Sequence, residues 1–162
     1  MDSALCLHRY GASLAVGFDY GQRNVIELEF AARIAAKYET SFERHRLIDM
    51  PLVNDIVFAG RNAVFIAAGV AIAQARKLST VVIGCNFSDH ERFSDCRPPF
   101  IQALSGAYRE AYGVWVYAPL LKMTKKQIVH EAREVGLPET WTCYTPKNGE
   151  PCGECYACKS LS

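Results

Sequence analysis

The chain has 162 residues, half of them hydrophobic and 22% charged, and a net charge of +1. That length suits one domain with a sizeable core, and so neutral a balance gives no electrostatic footprint for a polyanion, so nucleic acid is not expected as a direct partner. The longest apolar run, AVFIAAGVAIA at 63–73, is too short to span a bilayer and leads into Gln74, Arg76 and Lys77, so it reads as a buried helix and no membrane partner is expected.

Taken in order, residues 3–9 read as helical, and SLAVGFDY (13–20) reads as a buried strand ending at Asp19. NVIELEFAARIAAKYE (24–39) is helical by period, with Ile26, Phe30, Ala31 and Ile34 on one face. FERHRLID (42–49) alternates weakly, as a strand does, and residues 62–78 form the apolar helix. STVVIGCN (79–86) is a Val/Ile-rich strand; PPFIQALSGAYREAYG (98–113) is a helix opened by proline; GVWVYAPL (113–120) is a strand. Thr124 is a candidate cap for the helix TKKQIVHEAREVG (124–136), which Gly136 stops. Strands alternating with helices predict an α/β fold, a parallel twisted sheet with helices on both faces. Ligands of such sheets sit beyond the carboxyl ends of the strands, where Asp19, Gly21, Gly84, Asn86 and Pro119 fall.

Four of the seven cysteines close the chain. Cys143, Cys152, Cys155 and Cys158 read C-x8-C-x2-C-x2-C in a loop rich in turn residues. Four thiolates at that spacing suit a tetrahedral zinc ion, and a closed four-cysteine shell is a structural one. Four cysteines also serve iron–sulfur clusters, and C-x-x-C also serves thiol redox chemistry, although the latter needs only two. Cys6, Cys85 and Cys96 stand singly in or beside apolar runs. Such usage suits a reducing cytoplasm better than a disulfide framework. The expected organisation is a body over 1–142 and a zinc-binding tail over 143–162 of the same domain.

Met1-Asp2-Ser3, FDYGQR (18–23), GRN (60–62), SDCR (94–97), the lysine of TKKQI (124–128) and the terminal cysteine loop occur in that order. The combination closely resembles the 7-cyano-7-deazaguanine synthases of the N-type ATP pyrophosphatase (PP-loop) superfamily, over essentially the whole chain. The resemblance implies an adenine nucleotide alpha hydrolase-like fold and an ATP-dependent carbon–nitrogen ligase of the queuosine (tRNA modification) pathway. In that reaction ATP activates the carboxylate of 7-carboxy-7-deazaguanine, ammonia makes the amide, and a second ATP-dependent step gives the nitrile, with AMP and pyrophosphate released. It implies structural zinc, magnesium, ATP as substrate, and pairing as a homodimer. The alternatives are a tRNA-thiolating relative or an inactive homologue.

Residue by residue, Asp2 and Ser3 match the end of the PP-loop S-G-G-x-D-S and are expected to be catalytic and to bind ATP, Asp2 through magnesium. Alone, the same pair reads as a helix cap. The glycines, first serine and central strand of that motif are absent, so the chain is expected to start late and to be inactive as it stands. Lys125 matches a phosphate-holding lysine, although Lys126 is beside it and Gln127 replaces the usual glutamate. Asp19, Tyr20, Gly21, Gln22 and Arg23, with Gly84, are the expected ATP-binding residues; Asn24 stands where the family has histidine. Arg61 and Asn62, preceded by Ala59 instead of proline, are expected to bind the substrate with Asp89, Asp95 and Arg97. Asp95 would accept from the N–H edge of the base and Arg97 would pair with its carboxylate. Only MPLVNDIVFA (50–59) occupies the place of a long family insertion.

Overall fold

The computed structural model describes residues 1–53 and 56–161. Asn54 and Asp55 of the MPLVNDIVFA stretch, and Ser162 of the expected cysteine tail, lie outside the described residues. The fold is α/β with parallel strands, in two compact units. One consists of Met1, 3–59 and 126–162; the other consists of Asp2 and 60–125.

In the first unit, β1 (Leu14–Asp19) and β2 (Ser41–Arg46) pair in parallel, in register from Leu14 opposite Ser41 to Asp19 opposite Arg46. The intervening helix α2 (Glu27–Lys37) makes the crossover and buries Leu28, Ile34 and Ala35. The expected stripe of Ile26, Phe30 and Ala31 is only half-buried, because the helix turns its Leu28 side to the strands. Gly17 makes that approach possible: a Cβ there would lie 2.8 Å from Leu28 Cδ2 and 2.9 Å from Phe42 Cζ. The same unit holds the body of α1 (Asp2–Tyr10), nearly all of α5 (Lys125–Glu134), and a short α6 (Tyr156–Lys159) that the sequence reading did not foresee. Arg9 and Glu131 pair within it, through Arg9 Nε to Glu131 Oε1 at 2.6 Å and a second guanidinium contact.

The second unit is built on α3 (Arg61–Ala75), β3 (Thr80–Val82), α4 (Pro98–Tyr112) and β4 (Trp115–Tyr117). Its core joins Ile66, Val70 and Ala73 of α3 to Ile101, Val114 and Val116, with Cys85 and Cys96 among them. Pro98 opens α4 as expected, and Gly113 ends it at φ 67°. The strand expected over 79–86 forms a ladder for only three residues, Thr80–Val82 opposite Trp115–Tyr117. Ile83 adds one bond to Tyr117, and the chain then leaves the ladder because Phe87 N–H bonds Met123 C=O instead. Two 3-10 turns, Phe87–Asp89 and Ser94–Cys96, follow. The strands pair as two two-stranded sheets, β1 with β2 and β3 with β4, where the sequence reading had one continuous sheet.

Candidate functional site

A charged cluster in the second unit gathers residues far apart in sequence. Asp2 begins α1, and the Lys125 ammonium that opens α5 lies 2.5 Å from Asp2 Oδ2. Asn86 Nδ2 donates to Asp89 Oδ2 at 2.7 Å and to Asp2 Oδ1 at 3.4 Å. Asn86 is 2% exposed, and its Oδ1 has no hydrogen-bond partner among the described residues. Two carboxylates fix the amide the way round that leaves this oxygen over. Ser88 Oγ accepts the backbone N–H of Lys125 at 2.9 Å and so caps α5 from a distant turn. Burial first, and then the Asp2 carboxylate, push the Asp89 carboxyl above its ordinary range, while Lys125 and Arg61 pull it partway back. Asp2, Asp89, Arg61 and Lys125 are thus brought together; of Asn86 and Ser88, which organise them, the sequence reading placed Asn86 at a strand end without a role and did not single out Ser88. The sequence signal for both was the polar N-x-S-D run just past a β-rich segment.

A second node concerns Asn62. Its backbone N–H donates to Asp95 Oδ2 at 3.0 Å, so Asp95 serves as a side-chain acceptor at the start of α3. Its side-chain amide donates to Cys96 Sγ at 3.0 Å and reaches Cys85 Sγ at 3.8 Å. Asn62 is buried, and its donors are spent on thiols rather than presented to a ligand. The hydrogen bond with the Cys96 sulfur, and then burial, push the Cys85 thiol far up, which makes it a packing group rather than a nucleophile. Arg97 is exposed; its Nε donates to His90 C=O at 2.8 Å, which holds the guanidinium plane in place. Gly84 lies in the irregular stretch between β3 and Cys85.

The β1 exit, in the first unit, is also self-contained. Arg44 reaches Asp19 Oδ2 at 2.6 Å, and Gly21 N–H donates to Asp19 Oδ1 at 3.1 Å. The Arg44 hydrogen bond, then that of Gly21, hold the Asp19 carboxyl below its ordinary range. Tyr20 is buried, bonds Ile56 C=O at 3.0 Å and packs edge-on against Phe58. Gln22 is buried too: its Oε1 accepts from Tyr20 N–H, and its Nε2 donates to Phe18 C=O and Glu27. Gln22 and Tyr20 therefore shape the turn from within, whereas Gly21 and Arg23 are exposed. Gly21, at φ 80°, takes a left-handed conformation that favours glycine. Ser3 is exposed on α1.

The four tail cysteines converge. Their sulfurs lie within 4.8 Å of one another, with Cys155 and Cys158 at 3.5 Å. A tetrahedral zinc with bonds of about 2.3 Å needs sulfurs about 3.8 Å apart, so the donor set fits a metal ion. Backbone N–H groups aim at the same sulfurs: Cys152 at Cys143 (3.2 Å), Cys155 at Cys152 (3.3 Å) and Cys158 at Cys155 (3.5 Å). These bonds favour thiolate. The Thr145 hydroxyl, 3.2 Å from Cys152 Sγ, is the largest influence that lowers that thiol to about 6. Trp141 anchors the loop, bonding Cys143 C=O at 2.9 Å and packing on Phe30.

The family model described as queuosine biosynthesis protein QueC matches residues 54–161. The chain belongs to the QueC family. Among curated proteins it is 34% identical to the 7-cyano-7-deazaguanine synthase of Synechococcus sp. (strain CC9902) over 179 residues, 90% of this chain and 78% of that protein. It is 32% identical to the 7-cyano-7-deazaguanine synthase of Synechococcus sp. (strain CC9605) over 190 residues, 97% of this chain and 83% of that protein. Among solved structures, the U34-tRNA thiolase NcsA from Methanococcus maripaludis with its 4Fe-4S cluster superposes with a TM-score of 0.58 at 12% identity. That match covers 86% of this chain and 51% of the thiolase, and it speaks to fold alone. As a QueC family member with this PP-loop-like fold, the chain answers to the resemblance drawn from its motifs. No helix among the described residues is long and apolar enough to cross a membrane.

Proposed function

We propose that the chain's residues serve an ATP-dependent ligase chemistry that turns 7-carboxy-7-deazaguanine and ammonia into the 7-cyano-7-deazaguanine of its relatives' name. The observation that carries this reading is the cluster of Asp2, Lys125, Asp89 and Arg61 in a QueC family chain. A carboxylate oxygen attacks the α-phosphorus of ATP, and the bond to pyrophosphate breaks. Ammonia then displaces AMP to give the amide, and a second activation, at the amide oxygen, lets dehydration yield the nitrile.

Each residue has a task in that sequence. Lys125 and Arg61 stabilise negative charge that builds on phosphate oxygens. Asp2 is the residue that would hold magnesium, whose charge would polarise the phosphates. Asp89, with its raised proton affinity, is suited to take a proton from the attacking nitrogen. Arg97, pinned through Nε, presents its remaining N–H groups to the substrate carboxylate. Asn62 acts as a positioning residue for α3, and Asp95 keeps one oxygen for the base while the other bonds α3. Asp19, Gly21 and Arg23 are the residues proposed for ATP at the β1 exit. The four-cysteine shell leaves no open ligand position, so a bound zinc would hold the tail rather than react.

Two features argue against a thiolating activity through Cys85 or Cys96. Both are buried, and both face the Asn62 amide. The proposed reactants are small molecules, the proposed setting is the cytoplasm, and a homodimer is the proposed assembly.

The test supplies ATP, magnesium, ammonium and the 7-carboxy base and follows pyrophosphate, AMP and the nitrile by mass spectrometry. The reading requires ammonium-dependent nitrile and about two ATP consumed per nitrile, one for each activation. Arg97→Ala should raise KM for the acid far more than KM for ATP. Equal loss for both, or turnover that ignores the 7-carboxy base, would overturn the assignment.

A further inference from the structure

Outside the residues of the cluster, three basic side chains line one side of α5. Lys126, His130 and Arg133 stand at i, i+4 and i+7, within a narrow arc of the helix surface. Together with Val129, Ser160 and Leu161 they enclose a cleft of about 220 Å³. All three are exposed at residue level. Lys126 and His130 have no side-chain hydrogen bond or ion pair among the described residues. Arg133 donates one N–H to Leu161 C=O at 3.2 Å, which seats the chain's end against the cleft. Ser160 turns its hydroxyl away, to Ala157 C=O at 2.8 Å.

Among the described residues no acid bonds this group. Glu131 is held by Arg9, which keeps its carboxyl below the ordinary range. Glu134, exposed at the helix end, flanks the arc and bonds none of the three. Lys, His and Arg donors with no carboxylate bonded to them among the described residues have the chemistry of a dianion receptor, and the guanidinium fork suits phosphate oxygens. The apolar Val129 and Leu161 complete the lining of the cleft. The basic groups form one cluster rather than a long stripe, which suits a single phosphate and not a nucleic-acid backbone.

We propose that this cleft binds a phosphate dianion, free or as the head of a phosphate monoester. The site is independent of the proposed catalysis: none of its three basic side chains is assigned a role there.

The test titrates the full chain with inorganic phosphate and, separately, with AMP, reading binding by calorimetry and the shifts of the amides of residues 126–133 and 159–161 by NMR. Chloride at matched ionic strength is the control. Saturable binding that moves these amides is expected, and the double variant Lys126→Gln/His130→Gln should weaken it by at least about tenfold. Both positions are exposed, so the fold should survive, which circular dichroism checks. Tighter binding of AMP than of phosphate marks the monoester as the natural head group; equal binding marks the free anion. Lys125→Gln separates the sites, since phosphate held at the catalytic cluster would weaken in that variant and persist in the double one. No saturable binding in the millimolar range, or binding that the double variant leaves unchanged, overturns the proposal.

Discussion

Replacing Lys125 by methionine tests the charged cluster most directly. The change keeps most of the apolar stem and removes the ammonium that lies 2.5 Å from Asp2 Oδ2. The two side chains are 16% and 21% exposed, so solvent screens them only in part. A charge-assisted hydrogen bond in such a place contributes about 1.5–3 kcal/mol. Its loss also leaves Asp2 and Asp89 sharing one amide, with Arg61 as the remaining counter-charge acting on Asp89. If the ammonium meets charge that develops on phosphate oxygens, the loss falls mainly on kcat, by roughly 10²–10³-fold, as for other single donors aimed at a developing anion. The assay is the rate of pyrophosphate release at saturating 7-carboxy base, beside Lys122→Met, an exposed lysine outside the cluster. A Lys125→Met protein that folds and keeps wild-type kcat would refute the reasoning, because the Asp2 contact would then be an ion pair without a catalytic task.

Three further outcomes follow from the geometry. Asp89→Asn should raise Tm near neutral pH, because the folded carboxyl has a raised pKa and its ionisation opposes folding. The difference from wild type should shrink as pH falls through the raised folded value and vanish below the ordinary carboxylate value of about 3.9; a pH-independent difference in melting scans would contradict this. Cys155→Ser, or a strong chelator, should remove close to one zinc per chain and lower Tm by at least about 5 °C, the fall that a loss of about 2 kcal/mol gives in a chain this size. Elemental analysis that finds iron with visible absorption, or no metal at all, would replace the zinc reading. Gly17→Val should destabilise by about 1–3 kcal/mol in urea unfolding, since any Cβ there meets Leu28 and Phe42 at under 3 Å; an unchanged midpoint would mean that α2 yields freely.

Much of the fold was legible because its signals are local. Helical period, proline at the first turn of α4 and glycine after its last placed that helix to within a residue. The cysteine loop was legible for the same reason: four ligands within sixteen residues leave little freedom to the chain between them. The length of β3 was not legible. Val and Ile favour a strand through residue 83, but the ladder stops when Phe87 finds Met123 and the Asn86 and Ser88 side chains are drawn to Asp89 and to the start of α5. Those partners are 3 to 37 residues away, and no window of sequence contains them all.

Motif residues show the same division between kind and direction. The sequence offers Asn62, Asp95 and Arg97 as the kinds of residue expected to recognise a purine-like acid. It does not say which of their polar atoms the protein itself consumes. Asn62 gives its backbone N–H to Asp95 and its amide to Cys96, 34 residues on, and those bonds tie the start of α3 to the 3-10 turn. With Asn62 spent and one Asp95 oxygen committed, the stretch keeps Arg97 as the exposed cation, steadied at Nε by His90 C=O. A carboxylate arriving here would meet a guanidinium already oriented, with less side-chain entropy to lose on binding. If Arg97 meets the proposed carboxylate, loosening the buried node through Asn62 should act on carboxylate recognition at a distance, without removing any group that touches the substrate.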